Sequence, residues 1–127
     1  MTATIPPRHL SPDVSVAVDL ARGAVTAHVR GRVGYVTVGC MRDRLLELAH
    51  GEPSAIVVDL TDAELLDPTG PAAILHVHDV CRIRGIGFSV VIAPGSSAER
   101  VLRDCGLLSL FTAARRPFPL STAVVPG

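Results

Sequence analysis

The chain predicts an α/β fold: one domain whose mixed sheet opens with an antiparallel hairpin, continues as parallel βαβ units, and carries helices packed on it. Three observations predict it. Two alternating apolar runs, at 14–18 and 24–30, flank the short Gly-containing stretch Asp19-Leu-Ala-Arg-Gly23, the pattern of a hairpin. Residues 55–58 form a compact run of small and β-branched apolar residues, the mark of a strand covered on both faces. Strand-like runs then alternate with helix-period segments, which implies right-handed parallel crossovers.

Taken in order, residues 1–12 hold Pro6 and Pro7 and no periodicity, and read as a flexible N-terminal arm. The hairpin follows, closed by Gly31-Arg-Val-Gly34. Thr37 is placed to cap a first helix, in which Val38, Met41, Leu45 and Leu48 recur at spacings of three and four. His50-Gly51 ends it with a cation at the negative helix terminus and a permissive residue beyond. A buried strand is expected at 55–60.

A second helix reaches Arg84 and stops at Gly85, with Ala73, Ile74, Val77, Val80 and Cys81 as its apolar face. Residues 87–93 read as a strand. Ser96 and Glu99 have the spacing of a capping box and open a third helix that Gly106 closes. Residues 107–111 read as a short last strand. The expected domain is therefore 13–115, followed by a Pro-rich tail over 116–127 in which 120–125 is the one candidate helix stub.

With 127 residues, 48% of them apolar, the chain can bury a single core without staples. Twelve basic residues, all Arg, balance twelve acids, which argues against nucleic-acid binding by bulk electrostatics. No apolar run approaches the roughly 18 residues of a membrane span, and the first ten residues lack an apolar signal region. The protein is expected in the cytoplasm. The absence of Lys excludes Schiff-base chemistry and a Walker-type phosphate lysine. Cys40, Cys81 and Cys105 are widely spaced with no Cys-x-x-Cys, and read as small buried hydrophobes; a redox pair of Cys81 with Cys105 is the minor reading. His76 and His78, two apart on a helix, point in different directions and build no two-ligand metal site. No cofactor is implied.

The stretch with most chemical content is Asp67-Pro68-Thr69-Gly70, turn residues between the buried strand and the second helix. A hydroxyl there sits among free backbone N–H groups at the positive end of a helix dipole, a natural seat for a phosphate and for a covalent charge switch. Two prolines constrain the helix start. With Asp67 as cap, Pro71 would be the fourth helical residue, the first whose N–H must bond back, and proline has none. A start at 70 or 71 avoids the conflict. Thr69 or Gly70 is then the cap, and the Thr69 hydroxyl accepts from the N–H of about Ala72. Asp59, at the expected end of a buried strand, reads as a carboxylate satisfied by turn N–H groups. The loop at 94–97 lacks the length and the Lys of a P-loop.

Over roughly residues 14–115 the chain resembles the STAS domains, and within them the bacterial anti-sigma factor antagonists. The residues that carry the resemblance are Val58-Asp59-Leu60, then Asp67-Pro68-Thr69-Gly70, then Gly85. A further block covers Phe88 to Ile92, Pro94 to Ser97 and Val101-Leu-Arg-Asp-Cys-Gly-Leu107 through Leu110-Phe111. The resemblance implies a non-enzymatic regulator of transcription that works by partner switching. It binds an anti-sigma factor that is often also a serine/threonine kinase, and lets go when phosphorylated. The matching phospho-acceptor is Thr69, although Pro68 stands where the family has serine and Pro71 where it has leucine.

The partner surface implied is the 67–76 turn and helix start: Asp67, Pro68, Thr69, Gly70, Pro71, Ala72, Ala73 and His76. The 31–36 loop assists, and Arg32 supplies a charge. Self-association stays open, and no nucleic acid or membrane is implied. Two other readings stay open: a sensor module holding a small anion or nucleotide at the same helix end, and a constitutive scaffold subunit in which Pro68 disables kinase recognition.

Overall fold

A computed structural model describes residues 2–11, 13–111 and 114–115. These form one sheet in sequential order, β1 (Thr2–Ser11), β2 (Val14–Ala21), β3 (Ala24–Val33), β4 (Ala55–Leu65), β5 (Gly87–Ile92) and β6 (Ala114–Arg115). Three helices connect the later strands: α1 (Val38–His50), α2 (Thr69–Arg84) and α3 (Ser97–Asp104). Strands β1 to β3 are antiparallel neighbours, and β3 to β6 run parallel.

The hairpin forms as its alternation requires, with Ala21 paired to Ala24 across a two-residue turn. Gly23 and Arg22 both take positive φ there, as such a turn demands. Val14, Val16 and Val18 on β2, with Val25, Ala27 and Val29 on β3, are buried on one face. Ile56, Val58 and Leu60 continue that face on β4, and Val90 and Ile92 on β5. Met41, Leu45 and Ala49 from α1, Ile74, Val77 and Cys81 from α2, and Leu102 from α3 complete the same core. Gly85 ends α2 in the left-handed region, φ 73°, where its N–H reaches back to the Arg82 carbonyl.

Four expectations differ from this fold. Residues 1–12, read as a loose arm, contain β1. Its pairing with β2 shifts register between Ile5 and Arg8, where Pro6 and Pro7 sit. An edge strand needs only half of its backbone groups for pairing, so prolines that would break an inner strand are tolerated. Strand β4 does not end at Leu60 but runs to Leu65, because β3 also extends, to Val33, and the two pair again from Arg30 and Asp62 onward after a register shift that follows His28 and Asp59. Residues 107–111 are turns rather than a strand, and the last pairing falls at Ala114–Arg115. Of the cysteines, Cys81 is buried, Cys40 half-buried and Cys105 exposed, all of them free thiols. The candidate helix stub at 120–125 lies outside the described residues.

Candidate functional site

Asp67 organises the site. Strand β4 delivers it two residues beyond the sheet, and its carboxylate faces both ways along the chain. Its Oδ1 accepts the backbone N–H of Thr69 at 2.9 Å and also the Thr69 hydroxyl. Its Oδ2 accepts the backbone N–H of Tyr35 at 3.1 Å, from the loop between β3 and α1. These donors, led by the Thr69 hydroxyl, hold the Asp67 carboxyl below the ordinary 3.8, against the weaker opposing effect of desolvation. One side chain thus joins the start of α2 to the loop that precedes α1.

The helix begins one residue before the expected 70 or 71. Ala72 N–H bonds to the Pro68 carbonyl at 3.1 Å, so Pro68 is the cap residue and Thr69 the first helical one. Pro71 is therefore third. Its missing N–H belongs to the group that has no intrahelical partner in any helix, and no conflict arises. The Thr69 hydroxyl does not cap Ala72. It donates to Asp67, and Asp67 takes over the capping from outside the helix.

The 32–37 loop is held by Thr37. Its hydroxyl accepts the Gly34 N–H at 3.1 Å and donates to the Arg32 carbonyl at 2.9 Å. Thr37 occupies the cap position of α1, yet its side chain serves the loop and not the helix. Gly34 is closely approached: a Cβ there would lie 3.2 Å from Asp67 Oδ2 and 3.3 Å from Leu66 Cδ1. The loop is thereby pressed against the β4–α2 turn, leaving Tyr35 78% and Val36 77% exposed beside exposed Leu66.

Two grooves flank this turn. One of about 480 Å³ is lined by Val38, Arg42, Thr69, Ala72, Ala73 and His76. The other, about 380 Å³, takes its walls from Arg32, Tyr35, Val36, Leu66 and Asp67 among others. Of the residues singled out from the sequence, Asp67 and Thr69 are half-buried at the junction, Pro68, Ala72 and His76 are exposed, and Arg32 is exposed with a long contact of 3.7 Å to Glu64. Gly70, Pro71 and Ala73 are buried. Gly70 packs against Leu65 and Val33, so it places the helix and offers a partner little surface. Arg42 and Leu66 lie outside the expected partner surface, and Tyr35 and Val36 enter it only as part of the 31–36 loop. Tyr35 was the available signal: a lone aromatic between Gly34 and a cap residue, in a chain with few aromatics.

Elsewhere, Asp59 is satisfied, though not by a turn. The Thr61 N–H donates to it at 2.9 Å, and His28 lies against its other oxygen. His78 packs edge-on to Phe88, with ring centroids 5.6 Å apart. Ser96 accepts the Glu99 N–H at 3.2 Å and Glu99 accepts that of Gly95 at 2.8 Å, closing the expected capping box with its return bond one residue early. Burial pushes the Cys81 thiol up, against a smaller pull from Arg84. Among the described residues no cluster of His, Cys, Asp or Glu is arranged to hold a metal, and no helix is long and apolar enough to cross a membrane.

An opening hairpin, parallel crossovers and a hydroxyl at the start of the second helix together define the architecture. The chain belongs to the STAS domain family, whose profile matches residues 15–122. Solved structures share the fold. An anti-sigma factor antagonist from Mycobacterium paratuberculosis superposes with a TM-score of 0.69 at 21% identity, over 81% of this chain and 87% of that one. The phosphorylated form of SpoIIAA, a Bacillus cell fate determinant, gives 0.60 at 12% identity, over 84% and 95%. A STAS-domain antisigma-factor antagonist from Rhodobacter sphaeroides gives 0.53 at 18%, over 71% and 92%. At these identities the likeness is one of fold. No curated protein sequence matches the chain.

Proposed function

We propose that this protein is an anti-sigma factor antagonist: a non-enzymatic cytoplasmic regulator that docks an anti-sigma factor, itself a serine/threonine kinase, on the surface around Thr69. The observation that carries the reading is the seating of the Asp67-Pro68-Thr69-Gly70 turn between two grooves, with Thr69 lining one and Asp67 the other. Tyr35, Val36 and Leu66 give the rim an apolar contact area, and Arg32, Arg42 and His76 give it polar ones.

Phosphorylation of Thr69 would add roughly −1.5 to −2 charge. The new group sits on the first residue of α2, which favours anions, and beside Asp67, which does not. Gaining it also costs the hydroxyl its bond to Asp67. Nothing in the core depends on that hydroxyl, so the effect falls on the interface, where a desolvated like charge costs several kcal/mol. Affinity capture from the native lysate with the wild type and with Thr69→Glu tests this. An anti-sigma factor recovered by the first and lost by the second is expected.

The hydrogen bond from Thr69 to Asp67 also favours a second reading, the constitutive scaffold. A hydroxyl already engaged, preceded by a proline, is a poor kinase substrate. Equal recovery of the same partner by Thr69→Glu would select it.

A further inference from the structure

The groove between α1 and α2 brings a cation into the same space as Thr69. Val38 and Arg42, one turn apart on α1, line it together with Thr69, Ala72 and His76 from α2. Among the described residues no acidic side chain lines this groove, and Asp67 lines the other one. The Arg42 guanidinium lies 3.4 Å from the carboxylate of neighbouring Asp43, through both Nε and a terminal nitrogen. That is longer than the ~2.7–2.9 Å of a strong charge-assisted bond. Asp43 is also exposed, so solvent screens the pair.

A phosphate at a helix N-terminus is ordinarily held by backbone N–H groups. The start of α2 has few to give. Pro68 and Pro71 have none. The Thr69 N–H is committed to Asp67 at 2.9 Å, and the Ala72 N–H to the Pro68 carbonyl at 3.1 Å. That leaves the N–H of Gly70, a buried residue. A phosphate on Thr69 carries three strong acceptor oxygens, so donors have to come from a side chain. Phosphorylation also replaces the hydroxyl proton, and Thr69 can no longer donate to Asp67. Two anionic groups then face each other where that bond was. Repulsion turns the phosphate from Asp67 toward the groove that Asp67 does not line.

We propose that Arg42 receives it: the phosphate on Thr69 ties α2 to α1 through a bidentate pair with the Arg42 guanidinium, drawing that side chain off Asp43. The inference rests on the reading of Thr69 as the phospho-acceptor and names the residue that answers the modification. His76 takes no part, because seven residues of helix put it roughly 10 Å beyond Thr69 along α2. Modification then has a second consequence besides added charge. The groove is filled from within, and the cation it offered a partner is occupied.

Phosphothreonine genetically encoded at position 69 of the intact chain tests this without a kinase or a partner. Tm is measured with and without the phosphate in wild type and in Arg42→Gln. The phosphate is expected to leave Arg42→Gln worse off than wild type by on the order of 3 °C, and added salt is expected to shrink that difference. Arg42→Lys, which keeps a charge but not the fork, is expected to fall between the two. Asp43→Asn removes the competing carboxylate and is expected to widen the difference. The Nε–H resonance of wild-type Arg42 is expected to shift on phosphorylation. Equal Tm changes in wild type and Arg42→Gln, or an unmoved Arg42 Nε–H resonance, would overturn the proposal. Equal Tm changes alongside a partner lost by Thr69→Glu strike the Arg42 pairing alone. Unequal changes with no anti-sigma factor recovered strike the partner reading and leave the pairing.

Discussion

Helices α2 and α3 both begin with a hydroxyl close to their first turn, and the two hydroxyls do opposite jobs. At α3, Ser96 sits outside the helix in extended backbone and accepts the Glu99 N–H. Its oxygen is a structural cap. At α2, Thr69 is already inside the helix, and its hydroxyl donates to Asp67. The cap there is a carboxylate two residues upstream, which also holds Tyr35. Delegating the cap to Asp67 leaves the Thr69 hydroxyl with its bond to that carboxylate and with no capping duty. A hydroxyl that a regulator modifies has to meet that condition, since a cap could not be phosphorylated without loosening its helix.

The comparison can be broken from the packing side first. The α2 start rests on the core through Gly70, where an added Cβ would stand 3.1 Å from Leu65 Cδ2 and 3.6 Å from Val33 Cγ1. Gly70→Val is expected to destabilise by ~1–3 kcal/mol through overpacking, read from urea midpoints. A negligible cost would mean that the start of α2 is loosely seated and that Thr69 is not presented rigidly. Next in size is Ser96→Ala, which strips α3 of its cap and is expected to cost about 1 kcal/mol, by the same measurement.

The contrast between the two starts was only half legible in the sequence. The capping box of α3 is a local pattern, Ser96 and Glu99 three apart, and local patterns survive without tertiary information. The α2 start depends on Asp67, whose second oxygen is committed to Tyr35, 32 residues away in the chain and adjacent only once β3 and β4 pair. Periodicity found the helices and most strands because buried faces repeat. It missed β1, since Pro6 and Pro7 suppress the strand signal and edge pairing tolerates them. It ended β4 early because Thr61, Asp62 and Glu64 look like a loop until β3 is seen to run alongside, pairing Arg30 with Asp62 and Arg32 with Glu64. The exposed trio Tyr35, Val36 and Leu66 could not be ranked from sequence, where an apolar residue defaults to the core.

A smaller effect separates the two caps by pH. The Asp67 carboxyl is held below its ordinary 3.8 by the donors it accepts in the folded state. The ionised form is therefore favoured by folding. Its contribution is complete above that ordinary value and is lost as pH falls below it toward the depressed folded one. Acid unfolding of wild type and Asp67→Asn should converge below that value and diverge above it, with the wild type the more stable. The difference stays modest because the carboxylate meets solvent, which screens it. Ser96, which does not ionise, gives its helix no such dependence. Identical acid profiles for the two proteins would remove Asp67 as the cap of α2.

The smallest effect is the most discriminating. Thr69→Ala removes the hydroxyl but leaves the backbone N–H at that position, which still bonds to Asp67 at 2.9 Å. The lost side-chain bond is one that water can replace at a half-buried surface. Alanine also has the better helix propensity, by up to about 0.7 kcal/mol, which offsets part of that loss. The net change in stability should lie within about 0.5 kcal/mol of zero, well below that of Ser96→Ala. If instead the two substitutions cost the same, the Thr69 hydroxyl is as structural as the Ser96 one, and modifying it would disturb the helix rather than the interface. Near-neutral stability combined with altered partner recovery is the pattern that a surface switch requires and a structural cap cannot give.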